Sequence, residues 1–472
     1  MAMVYPRGTV TILVFTVIVT SELANGFMRL GSNHLQPKLH VSKRDVSKLE
    51  QKWIQQPLDH FNSSEKRTFK MRYFERLDLW QPSGPIYIYI GFDGWYDKDW
   101  IASDKHSLIC HMAKESNGSL FAIEHRYFSR SNPDIPDHNI TEYYKFLSSR
   151  QALADVANFI KSVKSDPTYK ASKVVVVGAW YAGNLAAWLR EFYPDLVDAA
   201  IAASAPVLAQ KDFKEYYGSL TYTYGKYGGE KCLNNIEKTF KRYEKLLQSS
   251  DGIETLKKEL HICPSSNLTV LENQQWLFYS LIYAFPEDYV PGATPHTIKW
   301  LCNYYYQHRG MLDFLKRGGS IPTNQGCFNI DFDPDMFTHC SGCYLFCSEF
   351  TDFHTTTAEK QPFVHWSPLD FEVKFCEAFF KGDVEKRIDE GVARTNKMYG
   401  GKYPNVTKVV FTHGDMDPWH TLGVLQDLGP DAPATMVNGS SQGGVLFVKP
   451  FEVEDIKKNR KYVKELIKKW IS

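Results

Sequence analysis

The chain has almost no net charge, because its 55 Lys and Arg residues offset its 54 Asp and Glu residues to leave +1. A protein that binds nucleic acid through phosphate contacts needs a basic excess, so this composition argues against a nucleic-acid partner. The sequence also lacks repeats and low-complexity tracts, and its 27 Tyr, 30 Phe and 11 Trp supply enough apolar area for a core, which argues against a disordered protein. Beyond the N-terminal region no apolar run reaches the roughly 18 residues of a membrane span. We therefore expect no such span in the mature protein.

The N-terminal region has the pattern of a signal peptide. Arg7 precedes a mostly apolar run, residues 10–19, and small residues occupy both cleavage positions, the second being Gly26. We therefore predict that residues 1–26 are removed. Residues 27–47 are polar and basic, and we predict a loose leader there. An uncleaved membrane anchor is the alternative interpretation of the same run.

Sequons support passage through the secretory pathway. The chain has six predicted glycosylation sites: Asn62, Asn117, Asn139, Asn267, Asn405 and Asn438. Together with the signal peptide they predict a glycoprotein that is secreted or that resides in the lysosomal lumen.

The sequence contains nine cysteines, eight of them between Cys232 and Cys376. In an oxidising compartment this pattern predicts disulfides, and an odd count leaves one thiol without an internal partner. Cys110 and Cys376 are the first candidates for the free thiol. The segment 339–347, with one His and three Cys, would also suit zinc, but the secretory context favours disulfides. We predict no metal and no cofactor.

Strand-like and helix-like patterns alternate over residues 85–205. Apolar runs at 85–90, 120–123, 173–178 and 199–203 predict strands, and apolar residues at helical spacing within 149–163 and 184–192 predict helices. This alternation predicts an α/β sheet with helices on both faces.

After this region the alternation of strand-like and helix-like patterns gives way to helical patterns, and the alternation resumes in the last part of the chain. We predict a first α/β part at 48–209, a helical, disulfide-stapled insertion at 210–370, and a second α/β part at 371–472. The second part begins its α/β pattern with a strand at 407–412 and ends in a helix at 454–470.

One segment has the layout of a nucleophile elbow, the sharp strand-to-helix turn that exposes a reactive side chain in α/β-hydrolases. A run of valines ends at Gly178, small residues surround the turn, and a helix follows. The position of the nucleophile holds Trp180. An indole has no oxygen or sulfur that could attack a carbonyl.

Several further motifs carry a resemblance to a known family. They are QPLDHF at 56–61, GFDG at 91–94, EHRY at 124–127, LSSRQALAD at 147–155, SAPV at 204–207, CSEF at 347–350 and GDMDPW at 414–419. The chain resembles the family of prolyl carboxypeptidase, dipeptidyl peptidase II and the thymus-specific serine protease from about residue 51 to 450. The resemblance implies an α/β-hydrolase sheet with an inserted helical cap, serine exopeptidase activity next to proline, and a homodimer as one option for assembly.

The resemblance places the catalytic triad as follows. Asp417 holds the position of the acid, whereas Trp180 replaces the serine and Gln442 replaces the histidine. An amide has no nitrogen that titrates near neutral pH, so Gln442 cannot accept the proton of a nucleophile. The oxyanion donors would be the backbone N–H of Tyr181 and one N–H near Gly91 and Phe92.

We therefore expect a catalytically inactive homologue whose cleft binds peptides or an unknown protein partner. One alternative is an active serine exopeptidase that acts on proline-containing peptides. Another is an adhesion or signalling protein that uses its outer surface. The substitute catalytic residues that the sequence offers by type are His413, His420, Ser204, Ser440 and Ser441.

The resemblance also suggests a cause for the odd cysteine. Many family members carry a Cys directly after the triad histidine, and this chain has Gly443 there. If that Cys forms a disulfide in its relatives, its loss leaves one partner thiol unpaired.

Overall fold

The computed structural model describes residues 46–92, 97–136, 139–283, 293–307, 323–324, 326–449 and 452–472. The predicted signal peptide and residues 27–45 of the predicted leader lie outside these ranges, so both remain predictions. Within the ranges, no helix combines the length and the apolarity that crossing a membrane would require.

Eight strands form one mixed sheet. They are β1 (Glu50–Pro57), β2 (Thr68–Arg76), β3 (Ile86–Ile90), β4 (Ser119–Ile123), β5 (Val174–Ala179), β6 (Ala199–Ala203), β7 (Val409–Gly414) and β8 (Ala434–Val437). Their order is β1-β2-β4-β3-β5-β6-β7-β8. Strand β2 is antiparallel to both β1 and β4, and all the other pairs are parallel. This order and these directions confirm the α/β-hydrolase sheet that the sequence predicts.

The valines of β5 explain why this strand lies at the centre of the sheet. Val174 and Val176 belong to the core on one face, whereas Val175 and Val177 belong to the core on the other face. A strand that is buried on both faces needs apolar residues at every position, and helices must cover both sides.

Fourteen helices are described. They are α1 (Asp97–Ala102), α2 (Leu108–Ser116), α3 (Ile140–Tyr143), α4 (Ser149–Lys164), α5 (Tyr181–Phe192), α6 (Glu215–Thr223), α7 (Glu230–Leu246), α8 (Ser250–Leu260), α9 (Leu271–Tyr283), α10 (Pro295–Gln307), α11 (Ser341–Leu345), α12 (Leu369–Val373), α13 (Val384–Tyr399) and α14 (Glu454–Ile471). Helix α4 begins where the sequence indicates, because the Ser148 side chain accepts a hydrogen bond from the Gln151 N–H and caps the helix.

The segment between β6 and β7 contains helices α6 to α13 and four short strands. The strands are Gln210–Asp212, Thr323–Asn324, Cys327–Phe328 and Thr351–Phe353. The first and last of these pair in parallel with each other, so the start of the segment lies beside residues 351–353.

Four disulfides cross-link this segment. They join Cys232 to Cys302, Cys263 to Cys327, Cys340 to Cys343, and Cys347 to Cys376. The free thiol is Cys110, which is buried. The prediction was therefore right to offer Cys110 and wrong to offer Cys376. The zinc alternative is also wrong, because the three cysteines of the 339–347 segment are all in disulfides.

Candidate active site

The predicted elbow is a sharp strand-to-helix turn with Trp180 at its centre. Trp180 stands between β5 and α5 at φ +57° and ψ −130°. A bulky residue in this region is strained by about 1–3 kcal/mol, so the surrounding contacts must hold it there. The Trp180 N–H donates to the Ala203 carbonyl at 2.9 Å. A Cβ at Gly178 would come within 2.0 Å of the Ala182 carbonyl oxygen, which explains the glycine. The strain thus persists at a position that no longer carries a reactive group.

The indole of Trp180 lies within an aromatic cluster. Its ring centroid is 5.7 Å from that of Phe92, 5.3 Å from Trp419 and 6.1 Å from Phe346. Trp419 comes from the loop that carries the acid position, and Phe346 comes from the inserted segment. The indole therefore bridges both parts of the molecule at the place where a substrate carbonyl would meet the nucleophile.

The acid position is buried and incompletely paired. Asp417 is only 1% exposed, and its Oδ1 accepts a hydrogen bond from the Trp419 N–H at 3.1 Å. Its Oδ2 has no hydrogen-bond partner within the described ranges. Burial raises the pKa of Asp417 to about 7, opposed by the nearby Ser204 hydroxyl and the Trp419 N–H.

The loop after β8 brings the base position to the elbow. Gln442 is half-buried in this loop. The neighbouring Gly443 has φ +62°, and its N–H donates to the Ser204 Oγ at 2.8 Å. A Cβ on Gly443 would lie 3.6 Å from the Ala179 side chain, directly before the elbow residue. The loops that carry the three predicted triad positions, Trp180, Asp417 and Gln442, therefore lie at the carboxyl edge of the sheet.

The oxyanion prediction needs one correction. The Gly91 N–H donates to the Ile123 carbonyl at 2.8 Å as part of the sheet, so it is not available to an oxyanion. Tyr181 is the first residue of α5, where backbone N–H groups point out of the helix end. The Phe92 ring packs at 4.8 Å from the Tyr181 ring. The N–H groups of Tyr181 and Phe92 remain the predicted donors.

Comparison with known proteins agrees with this geometry. Residues 56–315 and 337–463 match the family model for serine carboxypeptidase S28. The chain belongs to the serine carboxypeptidase S28 family. The thymus-specific serine protease of Mus musculus is 28% identical over an alignment of 477 positions, which covers 93% of this chain and 91% of that protein. The lysosomal Pro-X carboxypeptidase of Mus musculus is 26% identical over 479 residues, which cover 94% and 93%. This chain is thus a homologue of serine-type exopeptidases.

The two histidines near the acid do not replace the S28 base. His413 is 2% exposed, and burial lowers its pKa to about 3. Its ring is packed so closely against Gly423 that a Cβ there would meet it at 2.2 Å. The His420 Nδ1 lies 2.5 Å from the backbone carbonyl oxygen of Asp417, and burial lowers the pKa of His420 as well. Neither ring is oriented by the acid side chain as a triad histidine is.

The serines that the sequence offers as substitute nucleophiles lie off the elbow. The Ser204 Oγ accepts the Gly443 N–H, and Ser204 follows β6 rather than β5. The Ser440 Oγ donates to the Ser441 carbonyl at 3.2 Å, and both residues are no more than 2% exposed. These serines hold the loops together, which leaves the elbow without a replacement.

The motifs shared with the S28 family build a buried polar network that sequence reasoning did not identify. The Arg126 guanidinium donates to both oxygens of Asp155, at 2.6 and 2.7 Å. Arg126 also donates to the carbonyls of Leu58 and Phe146, at 3.0 and 2.9 Å, and the His60 Nε2 lies 2.8 Å from Asp155. The network joins the end of β1, the loop after β4, and α4. These residues hold the scaffold rather than perform chemistry.

A second motif fastens the inserted segment to the sheet domain. Glu349 lies at the N-terminus of α4, where its carboxylate accepts the Ser149 N–H at 3.0 Å and also the Ser149 hydroxyl. The Tyr399 hydroxyl lies 2.8 Å from the same serine oxygen. Negative charge is favourable at a helix N-terminus, although burial raises the pKa of Glu349. The CSEF motif therefore fixes the inserted segment against the N-terminus of α4.

A pocket opens beside the elbow and encloses about 660 Å³ of empty space, including its open mouth. Its lining includes seven aromatic residues: Tyr279, Phe337, Phe346, Phe353, Phe375, Trp180 and Trp419. It also includes three titratable residues, Asp352, His354 and Glu372, all of which are buried. No periodic pattern or motif in the sequence indicates these three residues, because only the folding of the inserted segment brings them together.

All six predicted glycosylation sites are exposed on the surface. The asparagine side chains are therefore accessible to the glycosylation machinery, and the modification itself remains a prediction.

Proposed function

We propose that this chain is a non-hydrolysing member of the S28 family that binds a peptide, or a segment of a protein partner, in its retained cleft. The observation that carries the proposal is Trp180 in the elbow conformation, with its indole packed against Phe92, Phe346 and Trp419. The cleft keeps an aromatic pocket for a ligand while the elbow carries no group that can attack it.

The expected loss of activity is large. In subtilisin, removal of the serine or the histidine alone costs about 10⁶ in turnover, and what remains is on the order of 10³ over water. Here both positions are substituted, by Trp180 and Gln442. The residual catalysis depends on an oxyanion site that stays open to substrate. The indole occupies that place, so we expect hydrolysis close to the uncatalysed rate.

We also propose that the protein works in the lumen of the secretory pathway, as a secreted or lysosomal protein. Four disulfides are stable in an oxidising compartment, and the six sequons are accessible. A relative that is named a lysosomal carboxypeptidase aligns along 94% of the chain.

The test restores the two missing groups. Wild-type protein, Trp180→Ser, Gln442→His and the double variant are assayed with proline-containing dipeptide and tripeptide amides and with a fluorophosphonate probe. Exposed positions supply matched controls, Trp53→Ser and Gln248→His. We expect no covalent labelling of the wild type or the controls, and labelling with turnover only in the double variant.

The outcomes separate the competing functions. Labelling and hydrolysis by the unaltered protein at rates typical of exopeptidases would refute the proposal and establish the active enzyme. A double variant that folds normally but stays inert would instead indicate that the cleft is no longer competent, which favours a role for the outer surface.

A further inference from the structure

The wall of the pocket is built from a strained segment of the inserted region. Thr351 and Asp352 are consecutive non-glycine residues with positive φ, +60° and +43°, and both line the pocket together with His354. Strained backbone persists only where surrounding contacts enforce it, and it clusters at ligand sites. The Gln210 N–H donates to the Asp352 Oδ1 at 3.1 Å and helps to fix this wall.

Two buried carboxyls in this wall have no positive partner among the residues that the structure describes. Within these residues, no Lys or Arg side chain lines the pocket beside Asp352 and Glu372. The Glu372 Oε1 accepts a hydrogen bond from the Ser367 hydroxyl at 2.7 Å, which is neutral. Burial raises the pKa of both carboxyls, that of Glu372 to about 8. A buried acid is either paired with a cation or protonated, and the described part of the chain around the pocket supplies no cation, so both carboxyls are largely protonated near neutral pH until a cation binds.

A third polar group of the pocket is also unsatisfied. His354 is 8% exposed, and its Nε2 has no hydrogen-bond partner within the described ranges. Its ring stacks on Tyr216 with centroids 3.6 Å apart, which fixes the orientation of the imidazole. Burial lowers the pKa of His354 to about 3, so the ring is neutral and adds no competing positive charge. A neutral imidazole can accept a hydrogen bond from an ammonium group.

The aromatic lining completes the chemistry. Trp180 and Trp419 pack edge to face at 5.3 Å, and Phe346 lies beside them at the same end of the pocket. Aromatic faces attract cations, most strongly when water is excluded, whereas anions are repelled. Uncompensated carboxyls and aromatic faces therefore favour the same kind of ligand.

We infer that the pocket beside the elbow is a binding site for an organic ammonium group attached to an apolar body, held by Asp352, Glu372 and His354. The ammonium lowers the raised pKa of the carboxyl that it contacts, so that this group is ionised in the complex, and the apolar body contacts the aromatic wall. The inference rests on the proposed function, since it specifies what the retained cleft binds. The proposed ligand is recognised by its positive charge and needs no peptide bond that can be cleaved.

The test compares two small probes of similar shape, phenethylammonium and the neutral 2-phenylethanol, by isothermal titration calorimetry with the full-length protein. We expect the wild type to bind the cation at least about tenfold more tightly, because a hydrogen bond between charged groups is worth that much or more. Glu372→Gln and Asp352→Asn should each remove most of this discrimination and leave binding of the alcohol unchanged. Glu259→Gln, on the surface of α8, is the matched control and should behave like the wild type.

Equal binding of the two probes, or no binding of either, by the wild type would overturn the inference, and this comparison needs no variant to fold. Discrimination that survives both substitutions would overturn it as well. The two proposals fail on different readouts. Hydrolysis by the unaltered chain overturns only the absence of catalysis, whereas loss of charge discrimination in the titration overturns only the ammonium site.

Discussion

The Arg126–Asp155 pair should contribute more to stability than any surface ion pair of this protein. Asp155 is 2% exposed and receives two hydrogen bonds from Arg126 and one contact from His60. Asp155→Asn keeps the shape of the side chain but leaves the Arg126 charge buried without a counterion. Breaking a buried pair in this way costs about 3–5 kcal/mol.

That cost can be expressed as a melting temperature. With an unfolding entropy of about 2.1 cal/mol/K per residue, the whole chain has about 1 kcal/mol/K, so Tm should fall by about 3–5 °C. The assay is thermal and urea unfolding followed by circular dichroism at neutral pH. Glu237→Gln, which breaks an exposed pair with Lys241, is the control and should cost less than about 0.5 kcal/mol.

A second variant tests the role of the carbonyl contacts. Replacing both charges, with Arg126→Met and Asp155→Leu, removes the unpaired charge but leaves the carbonyls of Leu58 and Phe146 without their donor. We expect this double variant to remain destabilised by about 1–3 kcal/mol for each carbonyl. If Asp155→Asn were no more destabilising than Glu237→Gln, the assignment of the network as the scaffold of the site would be refuted.

Two further predictions concern Asp417 and Cys110. Because folding raises the Asp417 pKa from 3.8 to about 7, the folded state binds more protons than the unfolded state between these values, so stability should fall as pH rises through this window. Asp417→Asn should match the wild type near pH 4 and be more stable at pH 8, by up to about 4 kcal/mol in urea unfolding; equal stability at pH 8 would contradict this. Thiol titration of unreduced protein should find one free thiol after denaturation and almost none in the native state, because Cys110 is 1% exposed and burial raises its pKa to about 12; rapid labelling of the native protein would show that the helix opens.

Cys110 and the loop that contains Gly443 are far apart in the sequence but lie on neighbouring elements of the fold. Helix α2, which carries Cys110, contacts the turn Gly444–Leu446 that follows Gly443. The Cys110 thiol itself donates to the Trp100 carbonyl at 3.3 Å. A family disulfide that ends on Cys110 remains a hypothesis, and a Gly443→Cys variant would test it by forming, or failing to form, a fifth disulfide.

The sequence alone determined the sheet and the residue types at the predicted triad positions. The valines of β5 predict a strand buried on both faces, and the small residues around Trp180 predict a tight turn, because each signal depends on neighbours close in the chain. The absence of a nucleophile at position 180 and of a base at position 442 follows from the chemistry of Trp and Gln alone.

Only the tertiary structure decided which groups lie together. Asp352, His354 and Glu372 meet in one pocket because the inserted segment folds back onto the sheet domain, and nothing in their spacing predicts this. The hydrogen bond from the Gly91 N–H to the Ile123 carbonyl likewise depends on the pairing of β3 with β4, so it could not be predicted from the sequence. Burial and pairing depend on contacts between residues far apart in the chain. For that reason the sequence could indicate the family and predict the missing triad, whereas the pocket and its buried carboxyls required the fold.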